Sequence, residues 1–451
     1  MSKKPLTPAI FQKERRKSRP GRELSLPSNI FHLTNNRDSG PSVKGSRTIR
    51  GYAFFLAFAA VSASIASLEA EEPDTSVFVA ARANGLDVKG RWHALQNDWS
   101  ARVGDNEGTR IDGAQLVSLR RFHLPLPPPP SEDHFLLANG DCIPIQQLRL
   151  AEEKFSFRHP RLAGGKETSL PLAAVALLWH DAPAKTRDVE KLYRRLRTGK
   201  RTRDVVCLLN GDTVAGTLIG MDKGNIEIEV EKRRVALKRT QLAYLAFNTE
   251  LTESPQPKGV FARLTLTDGS RMTLTSATSD AAKLTATTAF GARLSAPLTD
   301  TVALDLFGGC CTYLSDLKEG KYEFQPYLDA DWPYAVNGNV AEHPLRLGGS
   351  TYDRGVSMHS RSRLSYALNG AYRHFEALVG LDEIDGRDGS VRLRVLADGK
   401  PLIDRALTGR DGAVPIRLSV KGARTLTLEV DFGENGDVCD VVDWCDARLI
   451  K

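Results

Sequence analysis

The sequence predicts a mainly β protein: tandem small β-barrel-like repeats, then a C-terminal β-sandwich (jelly roll), with a disordered N-terminal tail and one hydrophobic helix. Three observations carry this. A turn pattern between alternating apolar runs recurs as Asn139-Gly140-Asp141, Asn210-Gly211-Asp212 and Asp268-Gly269-Ser270. The last third breaks into short alternating runs spaced by Gly and Asp, the grammar of an all-β sandwich. Helical spacing shows in one polar stretch, Asp181–Arg203, where Val189, Leu192, Tyr193 and Leu196 fall on one face.

At 451 residues the chain has room for two to four domains. Its 41% hydrophobic and 26% charged residues are ordinary for globular protein. The formal net charge is +7, but residues 1–50 hold 12 Lys/Arg against 3 Asp/Glu, which leaves −2 on the other 401. A duplex-binding domain carries its positive charge on the folded surface, so nucleic acid is not an expected partner. Residues 1–50 have no apolar periodicity and read as a disordered basic tail. Residues 51–70 hold an uncharged run, Gly51–Leu68, with Arg47 and Arg50 ahead and Glu69, Glu71 and Glu72 behind. That is a signal peptide or a membrane anchor. Small residues in its second half suit a cleaved signal; the long basic segment ahead suits an uncleaved anchor. Either way residues 71–451 are exported, periplasmic or extracellular, and touch a membrane only through this segment.

Residues 71–133 hold a weak β module, read from about Val88 to Leu119, and a stiff linker with Pro125 and Pro127–Pro130. Then come β repeats at 134–180, 204–250 and 260–309. Each opens on the shared turn, where Asn-Gly or Asp-Gly is expected because both turn residues must tolerate positive φ. Each closes on an apolar strand: Ala174–Trp179, Leu242–Phe247 or Val302–Phe307. Units of about 45 residues bury little surface alone, so SH3- or Sm-like barrels packed together, or one stacked array, are expected. Between the first two repeats, 181–203 reads as a helical linker with a solvated basic face. The repeats contain no Gly-x-Ser-x-Gly, His-Glu-x-x-His, P-loop or Gly-x-Gly-x-x-Gly motif. Six cysteines include Cys439 and Cys445 at the ends of one loop, which either bridge or stay as free thiols.

From Tyr313 aromatics become dense and about eight short strands follow in ~140 residues. Four strings here appear in order: Pro344–Tyr366 with Gly355-Val-Ser-Met-His359 inside it, Phe375–Asp382, Val391–Lys400 and Asp443–Leu449. Residues 313–451 resemble the NPCBM family on these strings. The resemblance implies a galactose-binding-like jelly roll, a glycan or polysaccharide as partner, and sugar binding without hydrolysis. The family often has a histidine just before the Asp-Trp pair, where this chain has Val441-Val442.

A sugar site needs an aromatic face for C–H groups and planar polar side chains for adjacent hydroxyls. Trp332, Tyr352, His359, Arg361, Asp382 and Asp443 are the candidates. Trp332, in a loop before Pro333, is the best stacking platform, and Trp444 reads as core. No catalytic residue and no cofactor is expected. Asp382, Glu383, Asp385 and Asp388 either hold a structural Ca²⁺ or form a solvated acidic turn; their spacing is not that of an EF-hand. The function expected is a non-catalytic, exported carbohydrate-binding protein with the repeats as spacer or interaction platform. The alternative is a protein–protein scaffold whose jelly roll has lost sugar binding, with envelope proteins as partners. A glycoside hydrolase, or an accessory subunit of one, is a third reading. As an enzyme it needs two carboxylates across a cleft, and short repeats occupy residues 71–312.

Overall fold

In the computed structural model, residues 76–254, 257–318 and 320–451 are described. The basic tail 1–50 and the hydrophobic segment 51–70 lie outside them. Among the described residues no helix is long and apolar enough to cross a membrane.

Four times a strand runs into the same turn. The N–H groups of Gly85, Gly140, Gly211 and Gly269 donate to the carbonyls three residues back, at 2.8–3.0 Å. Each glycine has φ between +76° and +94°. The residue before it, Asn84, Asn139, Asn210 or Asp268, caps the loop by accepting from the N–H two residues on. Only the glycine takes positive φ, contrary to the expectation for both turn residues. The loops have three residues, a type I turn followed by a left-handed glycine.

Each turn joins the first two strands of an antiparallel unit of five strands (six in the second, where one strand is split in two after Pro144) whose closing strand lies beside the first. In the third unit the order is Leu242–Ala246, Asp204–Leu208, Thr213–Met221, Asn225–Val230, Arg233–Lys238. Its strand Asn225–Val230 shows why it folds so: Ile226 and Ile228 are buried while Glu227 and Glu229 are exposed. The first unit starts at Val77, since Val77–Arg82 pairs with both Val88–Leu95 and Leu116–Arg121. Closing strands pair edge to edge: Leu116–Arg121 with Thr301–Phe307, and Val175–Trp179 with Leu242–Ala246. This covers edges that would otherwise present unpaired backbone groups. The units' strands form one hydrogen-bonded network of 21 strands around a shared apolar core.

The helix Val189–Thr198 is capped by Asp188, which accepts from the Lys191 N–H at 2.9 Å. It is more than a solvated linker. Leu192, Tyr193 and Leu196 pack on Trp179 and Tyr244 of two closing strands and on Cys207 of the strand Asp204–Leu208. Its other side grips the C-terminal module. Arg194 donates to the carbonyls of Asn337 (2.7 Å) and Val336 (3.2 Å), and Lys191 to that of Ala341 (3.1 Å).

The C-terminal module is a β-sandwich. One sheet runs Ala335–Val336, Gly355–His359, Val441–Ile450, His374–Leu381, Val414–Ser419, with Cys311–Tyr313 added on Val441–Ile450. The other runs Lys321–Phe324, Ser362–Ala367, Thr425–Phe432, Ser390–Ala397, Lys400–Thr408. Val356, Met358, Tyr366, Phe375 and Trp444 lie in the core between them. Truncating a buried aromatic such as Phe375 would cost about 3–5 kcal/mol. The outer face of the first sheet is covered by the hairpin Leu345–Leu347/Ser350–Tyr352. All six cysteines are free, and the Cys439–Cys445 bridge does not form: Cys445 is packed against Leu345 and Leu347, while Cys439 is exposed.

Candidate functional site

The strand Gly355–His359 alternates. Val356 and Met358 turn into the core, which leaves His359 on the other face at the sandwich end. His359 is buried, and its Nδ1 lies 2.9 Å from the Ser360 carbonyl. Trp332 covers it: the two rings stack with centroids 4.6 Å apart and planes 7° apart. Burial pulls the His359 imidazole below its ordinary range, and the Ser360 carbonyl and Asp437 oppose that only in part. A neutral ring suits a stack on tryptophan with one nitrogen left for a hydrogen bond.

The backbone then turns outward, with a cis peptide bond between Ser360 and Arg361. Ser360 donates to the buried Asp440, whose other oxygen accepts from the Ser390 N–H at 3.0 Å. Burial raises Asp440 to about 6 despite these two donors. Arg361 is exposed. Its Nη1 donates to Gln325 Oε1 at 3.1 Å, and its Nε stands 3.3 Å from Asp431. Beside them Tyr327 is 57% exposed and meets Phe432 edge-on, with Gly436 against its ring. Tyr322 donates to the Trp332 carbonyl at 2.6 Å, which ties the aromatic loop to the sheet. One end of the sandwich thus offers a half-buried tryptophan, an exposed tyrosine and a planar Arg–Gln–Asp set. That is the combination a pyranose ring requires: apolar faces for its C–H groups and forked donors and acceptors for adjacent hydroxyls.

Trp332, His359 and Arg361 are therefore brought together. Gln325, Tyr327 and Asp431 were not foreseen as site residues. The Gly433-Glu434-Asn435-Gly436 loop that follows Asp431 and Phe432 at the end of the strand Thr425–Phe432, too polar and glycine-rich to continue it, was the available signal. The other three candidates lie elsewhere. Asp382 and Asp443 are 0% exposed on the outer face of the first sheet. Asp382 caps its own turn through the N–H groups of Ile384 (2.9 Å) and Asp385 (2.8 Å), and Asp443 accepts from the Arg346 N–H at 3.1 Å. Burial, with the Asp382 carboxylate beside it, pushes Asp443 well above the usual carboxylate range. Tyr352 stands in the covering hairpin, facing the repeats across a hollow that also meets Pro127–Pro130.

The acidic turn is divided among protein partners. Asp385 takes Asn339 and His343, Glu383 takes the Gly349 N–H, and the Asp388 carbonyl takes Asn435. Among the described residues no group of three or more His, Cys, Asp or Glu is arranged to hold a metal ion.

Residues 311–450 match the NPCBM/NEW2 domain family. A protein of Renibacterium salmoninarum, named as a candidate endo-alpha-N-acetylgalactosaminidase, is 30% identical over 121 residues, 26% of this chain. The chain spans 8% of that relative's length. Similar solved structures include CBM51 from the GH95 protein of Clostridium perfringens in complex with methyl-galactose, at 24% identity. It covers 31% of this chain and 99% of the other, with a TM-score of 0.28. CBM51-2 with INT domains of ZmpB from the same organism, in complex with GlcNAc, is 18% identical and covers 50% of this chain and 45% of that one, with a TM-score of 0.29.

Proposed function

Taking residues 311–450 as an NPCBM module, we propose that the chain is an exported, non-catalytic glycan-binding protein that holds sugar at the Trp332–His359 end of its sandwich. The carrying observation is the stacked pair itself, with Arg361, Gln325 and Asp431 at its edge and Tyr327 exposed beside it. The repeats serve as a platform that fixes the module's orientation. Arg271 pairs with Asp353 at 2.6 Å and Arg120 binds Asp446 through two nitrogens, so repeats and module meet through charged contacts from different units. A non-catalytic role is supported by the commitment of the repeats' apolar surface to one core. Export is supported by the apolar run at 51–68.

The scaffold alternative rests on Val441, which pairs with His359 across the ladder where the family often has histidine nearby. A glycan array probed with the full chain separates the two. Binding to a defined sugar, lost in Trp332→Ala, supports the glycan reading. A folded protein that binds no sugar refutes it and leaves the scaffold.

A further inference from the structure

Away from Trp332, a cavity of about 450 Å³ lies where the last repeat meets the C-terminal module. Phe261, Arg263, Phe307, Asp316 and Arg354 are among its lining. A second hollow of about 340 Å³ shares Asn139, Arg263 and Arg354 with it and adds Arg194 and Arg197.

The charges here are not balanced. Arg263 and Arg354 both lie over the Phe307 ring, their guanidinium carbons 6.0 and 4.9 Å from its centroid. Each carries a buried Nε with no hydrogen-bond partner. Arg263 is 7% exposed; its Nη2 donates to the Asn139 carbonyl at 2.8 Å and stands 3.8 Å from Asp141. Both oxygens of Asp141 are already engaged, by the Thr273 N–H at 2.8 Å and its hydroxyl at 2.6 Å. Arg354 pairs with Asp316. Arg194 spends its donors on carbonyls. Arg197 comes to the same place: a Cβ built on Gly140 would stand 3.6 Å from Arg263 Nη2 and 3.7 Å from Arg197 Nη2. Among the described residues Arg197 has no ion pair or hydrogen bond. Arg194, Arg197, Arg263 and Arg354 thus face Asp141 and Asp316, and the third carboxylate that Arg197 and Arg263 feel, Asp353, is already paired with Arg271. Burial draws Arg263 down to about 10, and the Arg354 charge adds to the effect. Crowding four guanidinium groups, one of them buried, against fewer carboxylates is costly, and an oxyanion that accepts from the orphan N–H groups offsets that cost.

We propose that this cleft is a second ligand site, for a sugar unit bearing a carboxylate or sulfate. The proposal rests on the glycan reading above and extends it to anionic glycans. Guanidinium forks match both oxyanions in shape. Phe261 and Phe307, stacked at 5.3 Å with planes 13° apart, give apolar surface for the carbon skeleton.

Titration calorimetry on the full chain tests it with four probes: a chondroitin-sulfate disaccharide, glucuronic acid, inorganic sulfate and galactose. The sulfated disaccharide binds more tightly than inorganic sulfate, and its affinity falls as salt rises. Arg197→Gln and Arg354→Gln each weaken it about tenfold or more, while Trp332→Ala leaves it unchanged. Arg197 is exposed, so its variant folds even if the Arg354 variant does not. No binding of either anionic sugar, or binding indifferent to Arg197→Gln, overturns the proposal. Inorganic sulfate binding as tightly as the disaccharide overturns its sugar part. The two sites fail separately: neutral-sugar binding lost while anionic binding persists indicts the Trp332 site alone.

Discussion

Trp332 lies flat on His359, planes 7° apart and centroids 4.6 Å apart, and this contact joins the aromatic loop to the strand that carries the module's most recognisable string. The histidine is buried and neutral, so the pair is an apolar shelf with a polar rim made by Arg361, Gln325 and Asp431.

The contact of helix and module is pH-dependent. His343 lies 2.7 Å from Asp188, the helix cap, and 2.7 Å from Asp385 of the module. Burial disfavours its charged form, but the two carboxylates outweigh burial and the imidazole is raised above its ordinary value. A raised folded value means that this stabilisation is complete below pH ~6.5 and is lost as pH rises through the His343 value. Melting temperature measured from pH 5.5 to 9 should therefore fall more in wild type than in His343→Leu. Parallel curves would contradict this.

Arg271, 7% exposed, and Asp353, whose side chain is 27% exposed, tie the last repeat to the module. Burial opposes the Asp353 carboxylate, yet Arg271 and neighbouring arginines hold it well below the usual range. Removing one partner strands a buried charge, so Asp353→Ala should cost about 3–5 kcal/mol in denaturant unfolding. The double variant with Arg271→Met should cost less than the sum of the two single changes.

Gly338 has no room for a side chain: a Cβ there would lie 1.7 Å from Arg194 Nη1. Gly338→Ala must push Arg194 off the carbonyls of Asn337 and Val336. Its cost should match that of Arg194→Ala, about 1–3 kcal/mol, and the double variant should add little. Full additivity would show that the two residues are not coupled.

Asp443 sits beside Asp382 without access to water. Because its folded value is raised, the stability it provides is complete below pH ~4 and declines as pH rises toward that value. Asp443→Asn should be neutral or stabilising above pH 7 by chemical denaturation. A large loss there would show that the ionised carboxylate is needed.

Much of this was legible in the chain. Alternation and glycine turns give the β class, and the order of motifs from Pro344 to Leu449 gives the jelly roll. Trp332 stood out by its place in a loop before Pro333, and His359 and Arg361 by the basic stretch where the strand Gly355–His359 ends. That Asp382 and Asp443 are buried was not readable, because alternation shows which side of a strand a residue takes, not whether a hairpin covers that side. The first unit's true start was marked by Asn84-Gly85, a turn equal to the other three that its weaker flanks obscured. The arginine cleft had no local sign: Arg197, Arg263 and Arg354 are far apart in the chain and meet only through packing.

Sugar binding at Trp332 is tested most directly by titrating the full chain and its Trp332→Ala variant with the neutral sugar that a glycan array selects. The wild type should bind measurably and the variant about tenfold or more weakly, with stability lowered by only about 0.5–1.5 kcal/mol. Equal affinity in the two proteins would contradict it.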